Sequence, residues 1–401
     1  METCLFEEVG GERFLDEIWA KRPASFPQSN PQWLDIVKFS KLDELIAPLT
    51  ATDKDWITLI KDGKPVDHAK LVSRTGFIDL DRIYAAVNAG CSIQLAMVNR
   101  RSERIGRLCR DVEDFFVGND IVLAREVSGH IYYTPKASQG LAPHYDDHDV
   151  LILQLVGSKQ WHVYGPLEKF PLGPQEKNIG REFLPSAILD CVAEPGNLLY
   201  IPRGFYHEAH SLDGPSLHLT LSICPVTWLD VISPLLRSIE RLRAPLPMIP
   251  RNSAAILKEA LAGLSDACTE ACDVTAIGEQ LDVMRRRWGE RRELLPDGGF
   301  RSMTALGGVS DASFLRRGAG ADLRIVSGHE GDELRCGSDG FIVKNTSSRL
   351  QDFLWRKEHF FVRDIPDPPE GYSRVTLAQG LIKIGYLRFA EPDQLEKERL
   401  E

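Results

Sequence analysis

Two stretches constrain this chain more than any others: PHYDDHDVLILQLVGSKQW at residues 143–161 and IPRGFYHEAHSLDGPSLHLTLS at residues 201–222. Residues two apart in a strand point the same way, about 6.5–7 Å from each other. His144 and Asp146 are therefore expected to converge on one cation, and His207, just after the Pro202-Arg203-Gly204 turn, is the candidate third ligand from another strand. A lone His-x-Asp arises by chance in many proteins; specificity comes only from the three elements together.

The surrounding texture is that of a β-sandwich or barrel. From residue 120 to 224, short β-rich runs are separated by Gly and Pro. In SLHLTLSI, Leu217, Leu219, Leu221 and Ile223 face one way, while His218, Thr220 and Ser222 face the other; in GHIYYTP, His130, Tyr132 and Thr134 share a face. The polar side of a single antiparallel strand ordinarily faces water. Two such strands flanking a His-x-Asp…His set instead imply a polar barrel interior, walled in part by Leu151, Leu153 and Leu155. Two imidazoles and one carboxylate on one face leave coordination positions open, the arrangement of non-haem Fe(II) oxygenases.

Lys159 shares a strand face with Trp161 and Val163. An ammonium buried there without a partner is costly. Either it reaches solvent at the rim or it grips an anion such as a bound dicarboxylate, with Tyr132 and Ser222 adding neutral donors. Asp147 and Asp149 alternate away from Asp146 and read as a solvated pair. His148, about 13 Å along a strand from His144, is too distant to share its metal and either lines the substrate mouth or packs. His162 and His210 have no partner at ligand spacing, and His218 either orients a ligand or is satisfied in the core.

With 401 residues, 43% hydrophobic and 26% charged, the chain is long enough for two or three globular domains. A net charge of -10 disfavours nonspecific adhesion to nucleic acid or anionic membrane. METCLFEEVGGERF lacks the basic start and apolar run of a signal peptide, and no later run has the roughly 18 apolar residues of a membrane span. A soluble, cytoplasmic protein with no membrane partner is expected. Eight cysteines without C-x-x-C spacing read as reduced, mostly buried thiols.

Helical patterns flank the β region. Phe14, Leu15, Ile18 and Trp19 share a helical face ended by Pro23; Ser40 is expected to cap KLDELIAPL, Asp79 to cap a helix through Val87, and a sheet to begin near residues 92–98. Ile105, Leu108, Val112 and Phe115 mark another helix. After Cys224, helical spacing recurs at Trp228, Ile232, Leu235 and Ile239, at Ile256, Leu257, Ala260 and Leu264, and at Ile277, Leu281, Met284 and Trp288. The Gly-rich residues 297–320 read as a linker or mobile loop, and the remainder as two helices each running into a strand.

The runs YYTPKASQGLAPHYDD, GSKQW, PRGFYH and SLHLTLS resemble the JmjC-type cupin oxygenases, specifically the ribosomal oxygenase branch that hydroxylates protein side chains. The likeness is strong over residues 120–224 and weak at FLDEIWAKRP. It implies a mostly β catalytic core (a double-stranded β-helix, or jelly-roll cupin) with flanking helices over 1–226, an all-α dimerisation block over 227–296, and a linker with a small α+β winged-helix-like domain over 297–401. It also implies Fe(II) held by His144, Asp146 and His207, and 2-oxoglutarate held by Lys159, with Tyr132, Ser222, His130 and Thr220 nearby. O2 completes the reactants: oxidative decarboxylation yields succinate, CO2 and an oxidant for a C–H bond of a protein or peptide substrate.

Two positions depart from the family pattern: His130 stands where Asn is usual, and His148 where an aliphatic residue is usual. The helical block either forms a homodimer or packs on its own barrel. A winged helix suggests DNA, but residues 301–401 hold 15 Lys+Arg against 16 Asp+Glu, without the basic footprint expected of a nucleic-acid partner. The competing readings are an N-methyl-lysine demethylase with the same oxidant, a catalytically silent cupin serving as a binding module, and a cupin isomerase or dioxygenase using another metal.

Overall fold

The computed structural model describes residues 5–27, 34–61, 63–173, 179–245, 258, 265, 268–269, 272–292, 294–295, 297–318 and 321–390. Two units emerge: Met1–Phe115 with Glu126–Cys224 and Glu293–Glu401, and Phe116–Arg125 with Pro225–Arg292.

In the first unit the strands run β1 (Ala24–Phe26), β2 (Ile57–Lys61), β3 (Lys64–Pro65), β4 (Ser92–Leu95), β5 (Ser128–Thr134), β6 (Asp149–Val156), β7 (Lys159–Tyr164), β8 (Ala187–Ala193), β9 (Leu198–Ile201), β10 (His207–Ser211) and β11 (Ser216–Ile223). One eight-stranded sheet has the order β1-β9-β6-β11-β5-β4-β2-β3, and β10-β7-β8 form a second. The free edge of β10 carries an incomplete fourth member, where Gln139 bridges His210 and His144 bridges His207. Because the chain passes repeatedly from one sheet to the other, the result is the expected double-stranded β-helix. The sheets meet through Val150, Ile152, Leu199 and Ile201 on one side and Trp161, Val163, Ala193 and Ala209 on the other.

The period-2 pattern of β5 and β11 survives intact. His218 pairs with Tyr132 and Gln154, Thr220 with His130 and Ile152, and Ser222 with Ser128 and Val150, so the polar residues form one continuous ladder. The leucines of β11 turn to the opposite face, where the helix Glu103–Gly118 packs closely. Only glycine fits at position 129: a Cβ there would lie 2.7 Å from Cγ2 of Ile105.

Some local expectations need correction. Asp79 does cap the helix Leu80–Asn88, accepting from the Asp81 amide. Ser40 does not cap; it lies inside the 3-10 turn Phe39–Lys41, and the following helix Leu42–Ile46 starts without a side-chain cap. The sheet begins well before residue 92, because the short strands β1, β2 and β3 offer too few residues to show a period.

Of the expected linker at 297–320, the described residues 297–318 are no linker. They contain the helix Gly299–Thr304 and β12 (Phe314–Arg317), the central strand of a sheet. Asp297 is buried, accepting from Arg388 Nε at 2.8 Å and pairing with Arg316 Nη1 at 3.4 Å. Beyond it come β13 (Leu323–Gly328), β14 (Gly331–Cys336), β15 (Asp339–Val343), β16 (His359–Phe361) and β17 (Leu387–Phe389), arranged as β16-β12-β17 and β13-β14-β15. The helices Ser348–Arg356 and Arg374–Lys383 run into β16 and β17, as the sequence pattern anticipates. Their core gathers Leu315, Leu334, Leu350, Leu354, Leu377 and Leu381.

In the second unit, the helix Trp228–Ser238 opens with a Thr227/Asp230 capping box and packs with the helix Val274–Arg291. The expected helical pattern at Ile256–Leu264 lies outside the described residues. Among the described residues no helix is long and apolar enough to cross a membrane, and Cys91, Cys109 and Cys336 are buried.

Candidate active site

The three proposed ligands do converge, by a route other than strand alternation. His144 occupies the single bridge beside β10, and Asp146 lies in the loop entering β6. Backbone pairing brings the imidazoles together: His144 N donates to His207 O at 3.1 Å and His207 N to His144 O at 2.7 Å, leaving the ring centroids 4.4 Å apart. His207 Nε2 is 3.6 Å from Asp146 Oδ2, and one ligand atom from each of the three residues lies within 4.8 Å of the others.

Both rings are oriented by the carbonyl two residues upstream, His144 Nδ1 on Ala142 O at 2.8 Å and His207 Nδ1 on Phe205 O at 3.1 Å. A carbonyl only accepts, so the proton sits on Nδ1 and the Nε2 lone pair is left for a metal. Burial, then the neighbouring His144, brings the His207 pKa down to about 4. The ring is thereby the neutral ligand form near pH 7.

These residues line a cavity of about 550 Å³, counted out to its open mouth, together with Tyr132, Thr134, Lys159, Trp161, His218 and Thr220. Lys159 is 4% exposed, so it does not reach solvent at a rim. Its Nζ donates to Thr134 Oγ1 at 3.1 Å and lies 5.5 Å from the Trp161 ring. Burial lowers its pKa to about 7, and among the described residues no carboxylate stands within ion-pair distance.

Tyr132 accepts from Gln94 Nε2 at 3.0 Å and stacks on His218 at 4.9 Å. Burial pushes its hydroxyl pKa up, so it keeps its proton as a donor. His218 Nδ1, Trp161 Nε1 and Ser92 Oγ are buried without a protein partner, and all three residues line the cavity. Orphaned polar atoms around a buried ammonium are what a small bound anion would satisfy.

Other expectations hold less well. Thr220 lines the cavity, whereas Ser222 and His130 share its strand face but fall outside the lining. His130 Nε2 bonds Ser128 Oγ at 2.9 Å, and burial, then His148, lowers its pKa to about 4. His148 is not on the strand; it stands in the loop before β6, with Nδ1 3.1 Å from Asp147 Oδ1. The wall of the site is Val150 and Ile152, while Leu151, Leu153 and Leu155 face the other side of β6. Asp149 is not solvated: it is 2% exposed, takes a hydrogen bond from Tyr200 Oη at 2.5 Å, and is pushed by burial up to about 6. His162 bonds Asp190 and stacks on His210, away from the ligand cluster.

Sequence reasoning missed Thr134 as the Lys159 partner, although its face was legible. It also missed Gln94 and Ser92, whose strand carries no motif. Glu208 was overlooked as well: buried beside His207, it accepts from Tyr164 Oη at 2.8 Å, Gln139 Nε2 at 3.0 Å and Arg181 Nη2 at 2.5 Å.

Two facing sheets, a His-x-Asp…His cluster and a buried lysine in the same cavity define a double-stranded β-helix with a candidate metal centre. Residues 112–231 match the family model of the JmjC domain. Over 213 residues the chain is 30% identical to the bifunctional lysine-specific demethylase and histidyl-hydroxylase NO66 of Drosophila persimilis, covering 52% of this chain and 29% of that one. Over 202 residues it is 34% identical to ribosomal oxygenase 1 of Rattus norvegicus, covering 47% and 32%. The matches thus span about a third or less of these relatives' length. YcfD, a ribosomal oxygenase from Escherichia coli solved in complex with cobalt and 2-oxoglutarate, superposes over 95% of this chain and 98% of its own, with a TM-score of 0.55 and 18% identity. At that identity the superposition establishes the fold.

Proposed function

We propose that this protein is an Fe(II)- and 2-oxoglutarate-dependent oxygenase that hydroxylates an amino-acid side chain of a protein or peptide, with release of succinate and CO2. The observation that carries the reading is one cavity holding both the His144–Asp146–His207 cluster and a buried, carboxylate-free Lys159. The donor set is that of a facial-triad iron site, and the orphaned atoms of His218, Trp161 and Ser92 fit a bound dicarboxylate. Fe(II) with 2-oxoglutarate and O2 supplies, when bound, the oxidant for a substrate C–H bond.

The protein's own residues bind, orient and exclude water. His144 and His207 would offer their Nε2 atoms to the ion, and Asp146 a carboxylate oxygen. Lys159 would hold a carboxylate of the keto acid, assisted by Thr134, Tyr132 and Thr220, with Ser222 and His130 on the same strand faces. Val150, Ile152 and Trp161 keep the chamber dry. The relatives' names, histidyl-hydroxylase and ribosomal oxygenase, support a protein substrate. For the rest of the chain we keep a catalytic region over 1–226, an all-α homodimerisation block over 227–296, a winged-helix-like domain over 297–401, and a cytoplasmic location.

Incubation with Fe(II), 2-oxoglutarate, O2 and candidate peptides, with succinate and peptide mass as readouts, tests the reading. A mass gain of one oxygen is expected. Loss of CH2 would make the protein a demethylase, and succinate no higher than that of Asp146→Ala would leave a silent cupin.

A further inference from the structure

The turn that carries His207 into β10 is tied down at both of its central amides. Arg203 N donates to Asp149 Oδ1 at 3.4 Å and Gly204 N to Asp146 O at 2.9 Å. Gly204 has φ +84, and a Cβ there would meet Pro171 Cδ at 2.7 Å; the Arg203 guanidinium reaches Pro171 O at 2.6 Å. Asp149 Oδ1 also accepts from Tyr200 Oη, and that hydroxyl accepts from Ala20 N at 2.9 Å. Tyr200 is fully buried among Phe14 and Trp19.

An apolar pair would fill this space without the desolvation penalty of a carboxylate. Asp149 follows Asp146 by three residues, and its oxygen holds the amide four residues before His207. The carboxylate therefore links the two segments that carry the three ligands, His144 and Asp146 on one and His207 on the other.

We propose that Asp149 and Tyr200 are positioning residues for the metal centre, holding the His207 segment at its distance from Asp146. The inference rests on the metal role proposed above for that cluster. Groups that orient metal ligands typically change affinity by about 10–100-fold when removed.

Co(II) is the probe, titrated into the full-length protein by equilibrium dialysis, with its visible ligand-field bands recorded. Tyr200→Phe and Asp149→Asn are expected to weaken Co(II) by about 10–100-fold and to shift those bands. Tyr386→Phe is the control: it removes a comparably buried hydroxyl, bonded to Leu354 O in the C-terminal region, and is expected to leave affinity and spectrum as in the wild type. Wild-type affinity and spectrum in Tyr200→Phe would overturn the inference, as would equal weakening by Tyr386→Phe. So would a Tyr200→Phe chain that fails to fold, by circular dichroism, while Tyr386→Phe folds. A wild-type protein that takes up no Co(II) would instead bring down the reading of the whole site.

Discussion

Lys159→Met should make the ligand-free protein more stable while removing its grip on 2-oxoglutarate. The lysine is 4% exposed, and its only hydrogen bond among the described residues goes to Thr134. Burial brings its pKa from 10.5 to about 7. At about 1.4 kcal/mol per pKa unit, this sets on the order of 4 kcal/mol against the charged form in the folded, empty protein at pH 7. Methionine fills similar space without that penalty. In the complex the sign reverses, because losing one partner of a buried ion pair costs about 3–5 kcal/mol, or roughly a hundredfold to several thousandfold in affinity. Thermal unfolding without metal or ligand, and 2-oxoglutarate titration of the Co(II) form by calorimetry, measure the two effects. A substitution that lowers ligand-free stability, or leaves the keto acid bound as in the wild type, would refute the assignment of a lysine held for an anion.

The same lysine sets a pH dependence. Folded and empty it titrates at about 7, unfolded near 10.5, and beside an anion it regains its proton. Affinity for 2-oxoglutarate is therefore full below about pH 7 and falls by up to about tenfold per pH unit above it, while ligand-free stability rises across the same window; a flat calorimetric profile would contradict this. Asp146→Ala should abolish succinate formation and remove Co(II) binding detected by dialysis, with the fold retained by circular dichroism. Asp297→Ala strips two buried guanidiniums, Arg316 and Arg388, of their shared carboxylate, and urea unfolding should show a loss of about 3–5 kcal/mol; a change near zero would show the cluster to be solvated.

The membership of the candidate site was legible because its residue types have few other uses together. His218, Thr220 and Ser222 opposite a row of leucines announced a strand with one polar face, and β5 repeated the pattern. Lys159, on one strand face with Trp161 and Val163, left a rim lysine and a buried cation both open, and the structure buries it. The geometric reason given for His144 and Asp146 was nevertheless wrong. They meet because His144 pairs its backbone with His207 at a lone bridge, and no sequence period records a strand reduced to one bridge. The same slip explains Asp149: its phase relative to Asp146 holds only if both lie on one strand, and its partner Tyr200 is 51 residues away. The 297–320 segment failed alike, since glycines suggested a loop while the residues that anchor Asp297 sit at positions 316 and 388.

The leucines of β6 show where period-based reading stops. Every residue of DVLILQLV except the last is buried, so neither face is wet and the run carries no internal mark of phase. Choosing Leu151, Leu153 and Leu155 as the cavity wall was one of two equivalent options. What decides between them is register: Ser222, Thr220 and His218 lie across from Val150, Ile152 and Gln154, so the polar ladder of β11 passes its orientation to a neighbour that has none. A strand dry on both sides takes its facing from its partner, and the cavity wall of such a barrel is to be read from the one strand with a polar face.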